Sequence, residues 1–107
     1  MDLQNIIDRA LAIRKLYEEK ERRLYGSPWT SEEIMLGLVG DVGDLAKLVV
    51  AENGKRDIEN SHEKLGHELS DCMWSLIVLA KMNNVDLQQS FLETMDELEN
   101  HLLGSRE

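Results

Sequence analysis

The stretch "GLVGDVGDLAKLV", residues 37–49, sets Gly37, Gly40, Gly43, Asp41 and Asp44 inside text that otherwise repeats like a helix. Each interior glycine costs a helix about 0.5–1 kcal/mol relative to alanine, and aspartate is a poor helix former. Leu38, Val42, Leu45 and Val49 nevertheless keep the three-four spacing of an apolar arc. Upstream, Thr30 and Glu33 read as a capping box, and downstream Gly54 is a natural C-terminal stop. The segment is therefore one helix, and its glycines and aspartates need a role that offsets their cost.

Working outward, Leu3, Ile6, Ile7, Ala10, Leu11, Ile13, Leu16 and Tyr17 give an amphipathic first helix over about 2–24, ended by Gly26-Ser27-Pro28. Its charge run "EEKERR" (18–23) reads as a solvated face. Asn60 with Glu63 opens a third helix that runs to about Asn83 or Asn84, and Asp86 with Gln89 opens a fourth. The fourth carries Leu87, Phe91, Leu92, Met95, Leu98 and Leu102 on one stripe, expected to be core. Short connections favour antiparallel neighbours, so the expected fold is all-α, a single domain over 1–107 forming a four-helix bundle.

The second and third helices share one layout at an offset of 27 residues: Leu38, Val42, Leu45 and Val49 correspond to Leu65, Leu69, Cys72 and Leu76, and Asp41 and Asp44 to Glu68 and Asp71. Steps of about 100° per residue put each acidic pair on one flank of its apolar arc. Paired antiparallel, the helices are related by a pseudo-two-fold axis near Arg56, so Asp41 faces Asp71 and Asp44 faces Glu68. Four carboxylates at one level repel one another and resist ionising together. A hard cation resolves that conflict, so the pattern points to Mg²⁺, with Mn²⁺ as a substitute. Zinc is disfavoured because no His or Cys falls at ligand spacing, His67 beside Glu68 being the one candidate. Acidic residues three apart are also common on solvated helices, and the pattern alone leaves that alternative open.

These residues resemble the all-α nucleoside triphosphate pyrophosphohydrolases of the MazG-like type, which include the dCTP pyrophosphatases. Their signature has two adjacent glutamates and a third three positions on, followed by Glu-x-x-Asp on the next helix. "LVGDVGDLAKL" (38–48) is similar to the first part, and "HELSDCMWSLIVLA" (67–80) with "NNVDLQQ" to the second, within a resemblance over about 30–100. It implies that Asp41, Asp44, Glu68 and Asp71 are the catalytic and metal-binding residues. It implies Mg²⁺-dependent cleavage between the α and β phosphates, giving a monophosphate and pyrophosphate, in a homodimer or homotetramer. Three departures stand out: Gly40 replaces the first glutamate, aspartates replace the next two, and Glu93–Leu103 carries no Lys or Arg where relatives have phosphate-binding side chains. A catalytically weak or inactive metal- and nucleotide-binding relative is therefore the alternative, and a helical interaction module with idle acidic pairs is a third reading.

Composition narrows the partners. The formal net charge of −9 argues against nucleic acid, which is bound by clustered Lys and Arg. No apolar run approaches the roughly 20 residues of a membrane span, and "MDLQNIIDRA" lacks the look of a secretion signal, so a cytoplasmic protein is expected. Cys72, the single cysteine, sits in an apolar helical pattern and reads as a buried, inert thiol. Lys47, Lys55, Arg56 and Lys64, on or near the hairpin, are candidates to touch phosphate or are plain surface charge. Trp29 and Trp74 are candidates to stack on a base or to pack in a core or subunit interface. The glycines beside the aspartate flank either admit a close approach by a helix or nucleotide or kink the helix.

Overall fold

A computed structural model describes residues 2–104. It is all-helical, with α1 (Leu3–Tyr25), α2 (Ser31–Glu52), α3 (Ser61–Met82) and α4 (Leu87–Gly104), and no strand among the described residues.

The helix ends follow local chemistry. Asp2 accepts from the Asn5 N–H at 2.9 Å to start α1, and Gly26, at φ 86°, ends it by donating to the Arg22 carbonyl. The capping box opening α2 is complete: Glu33 N–H donates to Thr30 Oγ1, and Thr30 N–H donates back to Glu33 Oε1. Gly54, at φ 73°, and Lys55 close α2 by donating to the carbonyls of Ala51 and Val50, the Schellman pattern. Asn84 and Val85 do the same for α3, with Asn84 taking the left-handed position at φ 57°. Asp86 caps α4 by accepting from the Gln89 N–H at 3.1 Å.

One cap differs from expectation. Asn60 makes no side-chain cap bond; its backbone lies in the left-handed region at φ 55°. The turn is fastened from α2 instead, where Glu52 accepts from Ser61 Oγ at 2.9 Å and stands 3.5 Å from His62 Nδ1.

The α2–α3 hairpin is the most extensive packing unit, and α1 lies against α3. Trp74 Nε1 donates to the Ala10 carbonyl at 3.1 Å, and the Tyr17 and Trp74 rings lie 5.5 Å apart. The buried apolar residues are Ala10, Ile34, Leu38, Leu48, Cys72, Ile77 and Val78. On α2 the seam therefore follows Ile34, Leu38, Asp41, Leu45 and Leu48, with Asp41 and Leu45 half-buried. Val42, Val49, Leu69 and Leu76, expected in the seam, are exposed. Each hairpin helix carries two adjacent apolar stripes, and periodicity does not say which of them meets the partner within the chain. The chosen stripe turns Asp41 and Glu68 partly inward and leaves Asp44 exposed.

Helix α4 also departs from expectation. None of its residues is buried, and Phe91, Leu92, Met95, Leu98 and Leu102 are all exposed. They are not the core of this chain; α4 packs against α3 with its apolar stripe left exposed. The radius of gyration is 17.2 Å, against about 13 Å for a compact domain of 100 residues. Among the described residues no helix is long and apolar enough to cross a membrane.

Candidate active site

Asp41 and Asp44 stand one turn apart in mid-α2, and Glu68 is presented from α3 across the hairpin. Each offers a carboxylate oxygen, and the three oxygens lie within 4.8 Å of one another. Burial raises the Asp41 carboxyl above its ordinary range, with the charges of Asp71 and Asp44 adding to it and His67 opposing. Burial likewise raises Glu68, reinforced by Asp41, Asp71 and Asp44. Glu68 Oε2 is buried and has no hydrogen-bond partner among the described residues. A buried acceptor left unsatisfied costs about 1–3 kcal/mol, more when charged. Three converging carboxylate oxygens, with an unpartnered buried oxygen on Glu68, are near enough to hold a metal ion and make an all-oxygen donor set suited to a hard cation.

The fourth expected carboxylate stands apart from this triad. Asp71 Oδ2 lies 3.2 Å from His67 Nε2, one turn back on α3, although its charge still acts on Asp41 and Glu68. His67 thus serves a carboxylate rather than joining the triad.

Beside the triad lies a cavity of 580 Å³ between α1, α2 and α3, with Asp41 and Asp71 in its wall. Tyr17, Tyr25, Trp29 and Trp74 also line it. The chain has two Trp, two Tyr and one Phe, so every Trp and Tyr borders this one space. Gly37 lies in the same wall, and a Cβ added at Gly37, Gly40 or Gly43 would meet nothing within 4 Å. The close approach those glycines permit is not made by any described part of this chain, and α2 runs through them unbroken.

Of the basic candidates, Lys47 and Lys64 border a smaller, separate cavity that contains Asp44 and Glu68. Lys55 and Arg56 are exposed in the α2–α3 connection, outside both cavities. Cys72 is buried, and burial together with Asp41, Glu68 and Asp71 raises its thiol, which keeps it in the unreactive protonated form.

Sequence reading missed the buried ion pair that holds Trp29 in the aromatic cavity's wall. Arg14 and Glu21 are buried, and Arg14 Nη1 donates to Glu21 Oε1 at 3.2 Å. Arg14 Nη2 donates to the Trp29 carbonyl at 2.7 Å, and the Trp29 N–H donates to Glu21 Oε1 at 2.8 Å. The "EEKERR" run is thus not wholly a solvated face. Spacing carried the signal: Arg14 and Glu21 extend the Ala10 line at intervals of four and seven residues, on the face that packs inward.

The chain matches no family model, no curated protein and no solved structure.

Proposed function

We propose that the protein is a Mg²⁺-dependent nucleoside triphosphate pyrophosphohydrolase, cleaving between the α and β phosphates to release a monophosphate and pyrophosphate. The observation that carries this reading is the adjacency of the carboxylate triad to the aromatic cavity, with Asp41 belonging to both. A nucleotide has the same two-part chemistry, a flat base for aromatic faces and phosphates for a carboxylate-bound cation. The similarity of 38–48 and 67–80 to the MazG-like signature supports the same assignment.

Asp41, Asp44 and Glu68 would hold the metal, which supplies neutralisation of phosphate charge and a lower pKa for water. The base lies among Tyr17, Tyr25, Trp29 and Trp74, with Trp74 fixed through its indole N–H on Ala10 and Trp29 held by its backbone. Asp71 lies outside the triad yet lines the cavity, so it is the carboxylate left to take the proton of the attacking water, with His67 orienting it. Oxygen from water joins the α phosphorus as the bond to the bridging oxygen breaks, and pyrophosphate leaves.

We place the protein in the cytoplasm, where a lone reduced cysteine is ordinary. It works as a homodimer or homotetramer, because its exposed apolar stripes on α2, α3 and α4 are large for a chain that functions alone. One observation favours the alternative of a nucleotide-binding relative without turnover: α4 contains no Lys or Arg. A screen of deoxy- and ribonucleoside triphosphates with Mg²⁺, detecting both pyrophosphate and monophosphate, tests the proposal. Release of both from at least one nucleotide is expected; release of inorganic phosphate, or of nothing, would overturn it. Binding without release would establish the alternative.

A further inference from the structure

The carboxylate cluster borders two cavities. On one side is the 580 Å³ space lined by four aromatic rings, with Lys20 and Glu21 also in its wall, which Asp41 and Asp71 border. On the other is a space of 270 Å³ bordered by Asp44 and Glu68 together with Lys47, Lys64 and His67. Its two lysines come from opposite helices. Lys47 follows Asp44 by three residues on α2, and Lys64 precedes Glu68 by four on α3, so each shares a helix face with its carboxylate. Neither lysine forms a salt bridge among the described residues, although the chain carries a formal net charge of −9. Two unpaired cations at a site walled by carboxylates suit a ligand whose charge exceeds what a bound divalent ion neutralises.

We propose that this smaller cavity binds the leaving pyrophosphate, with Lys47 and Lys64 as its charge-bearing contacts. The inference rests on the pyrophosphohydrolase reading for its direction: the nucleoside end lies among the aromatics, the scissile linkage at the carboxylates, and the β and γ phosphates on the lysine side. It also accounts for the phosphate-binding charge that α4 does not supply, since Leu87–Gly104 contains no Lys or Arg. His67 borders this cavity while its Nε2 faces Asp71, which borders the other, so one side-chain pair spans the two spaces.

The test is calorimetric titration of the full chain, in Mg²⁺, with inorganic pyrophosphate and separately with the monophosphate of the nucleotide bound most tightly. Lys47→Met and Lys64→Met are expected to weaken pyrophosphate binding by about tenfold each, the scale of a charge-assisted hydrogen bond to phosphate. Monophosphate affinity should stay within about twofold of wild type, and the double Lys→Arg variant should retain pyrophosphate binding because it keeps both charges. Lysine-dependent pyrophosphate binding in a protein that hydrolyses no triphosphate would uphold the cavity and overturn the pyrophosphohydrolase reading alone. Unchanged pyrophosphate affinity in the Lys47→Met/Lys64→Met protein, or equal weakening of both ligands, would overturn the cavity assignment whatever the turnover.

Discussion

The Arg14 guanidinium stands 3.2 Å from the Glu21 carboxylate, both side chains are buried, and between them they hold both polar groups of the Trp29 peptide backbone. This pair fixes the α1–α2 connection at Trp29, which with Glu21 lines the aromatic cavity. Removing Arg14 leaves Glu21 as an uncompensated buried charge, which costs about 3–5 kcal/mol, whereas removing Glu21 leaves Arg14 its longer contact to Glu18 at 3.7 Å and should cost less. Arg14→Met should lower the melting temperature sharply, and Glu21→Met by a smaller amount. The double variant should recover part of the loss, because no lone charge remains. Urea denaturation of the two single variants and the double completes the cycle, and additive losses would show that the two residues do not act together.

The same pair shows what sequence could and could not give. Helix boundaries were legible because caps are local: Thr30 with Glu33, Gly54 and Asp86 act within a few residues of themselves. Asp41, Asp44 and Glu68 were legible as a group because the matching of α2 and α3 placed them at one height. The rotation of each helix was not, since Val42 and Leu45 are equally apolar and only the packed hairpin shows that Leu45 turns inward. Nor was the gathering of Tyr17, Tyr25, Trp29 and Trp74, which depends on how α1 crosses α3. Asp71, set opposite Asp41 by symmetry, is the strongest neighbouring charge on it and borders the same cavity, but its contact with His67 was not legible from that symmetry, since the counterpart of His67 at the same offset is Gly40.

Without metal, stability should fall as pH rises. Asp41 and Glu68 have carboxyls raised in the folded state, by burial first and by neighbouring carboxylates second. The fold therefore holds their protons more tightly than the unfolded chain does, and its contribution is fully present below the ordinary carboxylate range. That contribution is lost as pH climbs from there through the raised folded values. Melting temperatures in chelator should decline over this window, whereas Asp41→Asn and Glu68→Gln should each flatten the decline. An identical pH profile in wild type and both variants would contradict the account.

Adding Mg²⁺ at neutral pH should reverse that penalty. A ligand that binds only the folded state stabilises it by about 2.7 kcal/mol at a hundred times its dissociation constant. Millimolar Mg²⁺ should therefore raise the melting temperature by several degrees relative to chelator in wild type. The rise should disappear in Glu68→Gln, since Glu68 Oε2 is buried with no hydrogen-bond partner among the described residues. Equal melting temperatures in chelator and in Mg²⁺ for wild type would mean that the triad is merely solvated.

Self-association is expected at micromolar concentration. Leu36, Val39 and Val42 on α2, Leu69 and Leu76 on α3, and Phe91, Leu98 and Leu102 on α4 are all about half exposed or more. Large apolar side chains exposed at this density on three helices favour an interface between copies of the chain. Size-exclusion chromatography with light scattering should give a dimer or tetramer, and Val42→Lys with Leu69→Lys should reduce it to smaller species. A stable wild-type monomer would refute the expectation.

Asp44→Asn and Glu68→Gln alter the two triad members bordering the lysine-lined cavity. Each change keeps side-chain volume but removes a negative charge and weakens oxygen donation to a hard cation. Pyrophosphate release from the preferred nucleotide should fall by about two orders of magnitude or more, as when a preorganised electrostatic group is lost. The fold should survive, and the metal-free Glu68→Gln protein should be more stable than wild type at neutral pH, because one member of a self-repelling cluster has been neutralised. Loss of turnover alongside equal or greater metal-free stability is the mark of a group kept for chemistry at the expense of the fold. Wild-type turnover in both variants would remove these residues from the reaction.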